Sequence, residues 1–182
     1  MARNTISRSL HDIGLAAWFG GTLANAVALN PASGDAEHAS TSGRVANVGW
    51  DRWTPVNAAA IGVHVVGSIG QLAGNASRLG AQRGVGTMAV TKTALTAAAL
   101  GVTAYSRVVG SRVSAQTDVP VESATEPAAT TPPPVSDAQR QLRLLQWAVP
   151  ALTGALIVLS AFAGEQQRAF EVSSGVLARI LN

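Results

Sequence analysis

The chain has 182 residues, enough for one domain, and only 13% of them are charged, against roughly 25% in an average soluble domain. It contains no cysteine, which excludes disulfides, thiolate-ligated zinc, iron–sulfur clusters and thiol catalysis. The net charge of +3 rests on arginines at the ends of apolar runs, and aromatics make up 4% of the chain. Nucleic-acid binding would need a basic face interleaved with aromatics, so no nucleic-acid partner is expected.

Uncharged runs set the organisation. Residues 13–34, 53–77 and 144–164 each reach the roughly 20 residues that a membrane-crossing helix needs. Residues 85–109 do so as well if one ammonium, Lys92, is tolerated. The expectation is an all-α integral membrane four-helix bundle with an interfacial segment and an amphipathic C-terminal helix.

Residues 1–12 read as a polar cytoplasmic lead carrying Arg3 and Arg8. Span one starts at Ile13. A secretory signal peptide is the competing reading, with Ala26-Val27-Ala28 as a small-x-small cleavage site. Asp12, abutting the apolar run, and the Trp18-Phe19-Gly20-Gly21 stretch argue against it. The Ala16/Gly20 and Ala17/Gly21 pairs suit close helix contact.

A polar connection follows, and its second half, residues 43–53, is expected as a short helix on the membrane surface. Trp50 and Trp53 stand just before the next apolar run, where aromatic belts form. Pro55 suits the first turn of span two. Gly70-xxx-Gly74 is a close-approach pair within that span, and His64 is the polar group near its middle. A short loop with Arg78 and Arg83 makes spans two and three an antiparallel hairpin. Residues 13–109 thus form a three-span part.

Residues 110–143 hold Pro120, Pro127 and Pro132-Pro133-Pro134 without apolar periodicity, and read as a disordered linker, partly polyproline II. Span four, residues 144–164, is the most apolar, with Trp147 marking an interface and Pro150 as a kink site. Residues 165–182 read as an amphipathic tail lying on the membrane or the bundle. Glu165 and Arg168, three apart at its start, form an interfacial boundary. Arginines divide equally between the two sides, but the terminal-side segments are shorter. Both termini are therefore expected in the cytoplasm, and the protein in the plasma membrane as a multi-pass chain.

Polar groups at membrane depth are the candidate functional residues: Lys92, His64 and Asp12. Lys92 lies about 10 Å into its helix at 1.5 Å per residue. Its ordinary role is snorkelling to the headgroups. An ion pair with Asp12 is a second role, and a proton or ion relay, or an anion site, a third. A single membrane histidine more often hydrogen-bonds a neighbouring helix than ligates. His11, at the end of span one, and His38, in a loop, are poorly placed to pair with His64. No phosphate loop, nucleophile–base set, paired carboxylates or metal spacing is present in the sequence. No cofactor or metal is expected.

The run from Arg78 to Leu100, with the Trp50–Thr54 lead and the Gly164-Glu-Gln-Gln-Arg168 close, resembles uncharacterised small four-span integral membrane proteins of actinobacteria. The resemblance covers most of the chain outside the Pro-rich linker, and implies four spans in the plasma membrane. The function expected is that of a non-enzymatic accessory or assembly subunit, or a self-associating helical bundle, in contact with lipid and with its own copies or a larger membrane complex. The alternative is a small transporter or channel with a polar path through Lys92, His64 and Asp12.

Overall fold

The structure, a computed structural model, describes residues 4–36, 38–76, 84–116 and 119–165. The tail from residue 166, including Arg168, lies outside the described residues. Four helices are long and apolar enough to cross a membrane, consistent with a multi-pass membrane protein. Helix α1 spans Thr5–Ala24, α2 Ala39–Gly74, α3 Val85–Ser114 and α4 Pro133–Glu165. Among the described residues there is no strand, only an isolated bridge between Val121 and Pro127.

Helix α1 begins eight residues before the expected start at Ile13, because Ser7, His11, Gly14, Trp18 and Thr22 share one face at helical spacing. Five positions along it, His11, Gly14, Leu15, Trp18 and Thr22, are buried. The helix then runs on through a π-helical turn, Asn25–Leu29, a short turn Asn30–Ala32 and a 3-10 turn Ser33–Asp35.

Helix α2 is one continuous 36-residue rod. Residues 43–53 are its first turns rather than a separate surface helix, and Pro55 lies inside it rather than in a first turn. Proline costs one backbone hydrogen bond there, and the flanking turn is tied by the Thr54 hydroxyl donating to the Trp50 carbonyl at 2.7 Å.

The principal packing is α1 on α2 and α3 on α4, with α1 also against α4. Helices α2 and α3 are consecutive in the chain yet barely meet. A cleft lies between them. The α1–α2 seam is close because it lacks β-carbons: one added at Gly14 would overlap the backbone of Ala60 and His64, and one at Gly67 would overlap the backbone of His11. Gly70 and Gly74 continue the seam against Ser7 and Asn4, whose amide donates to the Gly70 carbonyl at 3.3 Å. Between the pairs, Trp18, Ala60, Ala99 and Val149 form a buried apolar layer contributed by all four helices.

The Pro-rich connection is shorter and more structured than a linker over 110–143. Helix α3 continues to Ser114 and α4 starts at Pro133, where proline's missing N–H is harmless. In between, Val121, Ser123, Ala124, Thr125 and Thr131 are buried. The Val121 N–H donates to the Ala39 carbonyl at 3.3 Å and the Ala124 N–H to the Ser33 hydroxyl at 2.9 Å. Satisfied backbone groups, not apolar periodicity, hold this segment down.

Gly67→Val should lower stability by about 3 kcal/mol or more, since backbone rather than a flexible side chain blocks the new atoms. Gly62, which has open space around it, should tolerate alanine with a gain of about 0.5–1 kcal/mol. Thermal denaturation of both variants in mild detergent checks this pair.

Candidate functional site

Two cavities open along the α2–α3 cleft, one on each side of the Trp18 layer. The first has a volume of about 300 Å³ and is lined mainly by apolar side chains of α2 between Val65 and Asn75 and of α3 between Val85 and Leu100. His11 and Lys92 bring the polar chemistry to it. Lys92 therefore faces the cleft rather than the outer surface of α3. Val85, Met88, Ala89, Thr93 and Thr96 share that lining, at the spacing of one helix face.

His11 and His64, expected apart, are together. Their ring centroids are 4.5 Å apart, and the Trp18 ring lies 6.0 Å from His64. His11 is 1% exposed and His64 fully buried. The expectation failed because span one was started too late, which put His11 at a helix end instead of two turns inside. The glycine seam then brings the two backbones into contact.

Hydrogen bonding sets the proton positions. His11 Nδ1 lies 2.7 Å from Asp12 Oδ1, and His64 Nδ1 lies 3.3 Å from the His11 carbonyl oxygen. A carbonyl or carboxylate oxygen only accepts, so each Nδ1 is the donor. Each Nε2 is then a lone-pair nitrogen in the neutral ring, and both Nε2 atoms are buried without a partner in the protein.

The sequence-derived trio is thus brought into one cluster, with His11 as the member that joins it. Among the described residues no ion pair links Lys92 to Asp12; the carboxylate is held by His11. Of the interfacial set, Trp147 is half exposed on α4. Glu165 is the last residue of α4. Trp50 and Trp53 instead turn between helices. The Trp50 indole donates to Asn30 Oδ1 at 3.1 Å, and the Trp53 ring fills the space that a β-carbon at Gly21 would occupy.

Trp50 and Trp53 belong to the second cavity, of about 210 Å³, which the sequence reading missed. Asn25, Asn30, Asn57, Thr103 and Gln139 reach it from four different segments. The π-helical turn at Asn25 shifts the register so that both Asn25 and Asn30 point inward. Such turns frequently sit at functional sites. Asn30 is 1% exposed and central, accepting from Trp50 and donating from Nδ2 to Gln146 Oε1 at 2.8 Å. The Pro-rich segment caps the cavity. Gln139 Nε2 donates to the Ser123 carbonyl at 2.9 Å, while Arg143 reaches Glu126 at 3.0 Å on the surface. The available signal was the run of amides, Asn25, Asn30 and Asn57, inside otherwise apolar stretches.

Among the described residues no group of three or more histidines and carboxylates could hold a metal ion. Compared with protein families, curated proteins and solved structures, the chain matches none.

Gln139→Leu strips a buried hydrogen bond from the cap and should cost about 1–3 kcal/mol. Arg143→Ala removes an exposed pair and should cost about 0–1 kcal/mol. Hydrogen exchange over residues 119–131 should therefore rise strongly in the first variant and little in the second.

Proposed function

We propose that the protein is a small, non-enzymatic, multi-pass transporter or channel of the plasma membrane that handles protons through His64, His11, Asp12 and Lys92. The observation that carries this reading is the His11–His64 pair, whose ring centroids lie 4.5 Å apart with the ring planes tilted by 50°. Its two unpartnered Nε2 atoms are buried beside a cleft that also receives an ammonium group. Ionisable side chains at this depth are expensive and ordinarily mark ion or proton paths. The cleft contributes two cavities, with the layer of Trp18, Ala60, Ala99 and Val149 between them. Cytoplasmic termini follow from the denser arginines of the terminal-side segments.

The packing weakens the argument for assembly as the main role. Gly14, Gly67, Gly70, Gly74 and Gly21 are spent on contacts inside the chain. One observation still favours an accessory or self-associating role. Helix α3 buries only Ala99 and Val109, and Gly101 has open space around it. A second copy or a larger complex would cover that face.

Proton flux into reconstituted vesicles, read with an entrapped pH-sensitive dye, tests the first reading. The native chain should acidify the lumen under an imposed gradient. Lys92→Met and His64→Phe should fall to the level of protein-free vesicles while inserting normally. Flux indistinguishable from protein-free vesicles in the native chain would overturn the proposal. Recovery of a stable oligomer or a co-purifying protein in mild detergent would support the second reading.

A further inference from the structure

We infer that the cavity between α1, α2, α3 and α4 beneath the Pro-rich cap is a binding site for an uncharged, hydroxyl-rich small molecule of the sugar or polyol class. Five side-chain atoms around it are buried and have no hydrogen-bond partner in the protein: Asn25 Nδ2, Trp53 Nε1, Asn57 Oδ1, Thr103 Oγ1 and Gln139 Oε1. Asn25 is 8% exposed and Gln139 fully buried, so these groups are not solvated surface. Buried polar atoms are ordinarily paired, and five orphans around one space point to what that space holds.

Their chemistry selects the ligand. Two of the atoms only donate, two only accept, and the threonine hydroxyl does either. A ligand that satisfies both kinds must itself donate and accept from closely spaced atoms, which is the property of a hydroxyl array. A cation is disfavoured, because no carboxylate lines the cavity. An anion is disfavoured as well, because the one charged lining residue, Arg107, is exposed at the rim and has no cationic companion there. The volume of about 210 Å³ is below the roughly 300–1,000 Å³ of sites for drug-sized ligands, so the molecule is small. Trp50 and Trp53 supply apolar ring faces for the C–H side of such a molecule. The Asn30 network with Trp50 and Gln146 is already satisfied and fixes the walls in place.

This inference concerns equilibrium binding and does not depend on proton flux. The test uses the full chain in lipid nanodiscs, free of glycoside detergents, with tryptophan emission as the readout. D-glucose and myo-inositol are the probes, and glutamate and choline the charged controls. A saturable emission change with glucose or inositol, and none with either control, is expected. Thr103→Val, which keeps the side-chain shape, and Asn57→Leu should each weaken binding about tenfold, the effect of one buried hydrogen bond. Lys92→Met should bind as the native chain does. If Asn57→Leu does not fold, Thr103→Val decides. Absence of saturable binding to both polyols, equal binding of a charged control, or an unchanged affinity in Thr103→Val would overturn the assignment. Polyol binding with no proton flux would retain this site and remove the proposed function.

Discussion

The closeness of α1 and α2 is the constraint from which the rest of the structure follows. Gly14 and Gly67 allow backbone to meet backbone where any side chain would overlap. That approach is what brings the His11 ring beside the His64 ring and lets Asn4 reach the Gly70 carbonyl. It also decides the rest of the packing. With α1 pressed onto α2 along most of its length, α3 finds its main partner in α4, and the α2–α3 gap is left open. The cleft is therefore a consequence of tight packing elsewhere.

Polar side chains between apolar helices fall into two groups. Most of the serines and threonines satisfy themselves, Thr103 being an exception. The hydroxyls of Thr22, Ser68, Thr93, Ser106, Thr153 and Ser160 each donate to a carbonyl one turn back, at 2.7–2.9 Å. They need no neighbour and carry little information about a site. Amides, imidazoles and indoles cannot fold back in this way, so their partners must come from another helix or from a ligand. Asn30 has its partners. Asn25, Asn57, Gln71, Trp53 and both imidazoles retain unpartnered atoms. These unpaired members gather around the two cavities and the tilted histidine pair.

The apolar runs were readable in the sequence because a spanning helix needs length and low charge, and both are one-dimensional properties. The start of α1 was not, since charge at Arg8, His11 and Asp12 masked the helical face that runs from Ser7 through His11 and Gly14 to Trp18. Apolarity alone starts that helix at Ile13, whereas face periodicity carries it back to Thr5. Lys92 was identified as the awkward charge, but its direction depended on which helices would pack together. The amide-lined cavity was still harder to read, because Asn25, Asn57, Thr103 and Gln139 are far apart in the chain and share no spacing. The cap over it is held by backbone hydrogen bonds and one buried glutamine, neither of which leaves an apolar pattern.

The two cavities differ in chemistry because the helices contribute different residues on either side of Trp18. On one side α2 and α3 present valine, isoleucine, leucine, alanine and methionine, with Ser68, Gln71, Thr93 and Thr96, around a single ammonium and one imidazole. On the other they present asparagine, threonine, serine and tryptophan, with glutamines from α4. The first cavity holds the ammonium and an imidazole, whereas no imidazole or carboxylate lines the second. The layer of Trp18, Ala60, Ala99 and Val149 separates them with side chains from four helices. Although α2 and α3 hardly touch, the two helix pairs are joined on the other side, where α4 packs against α1 and Asn30 donates to Gln146, and Trp18 stands at the junction between the cavities.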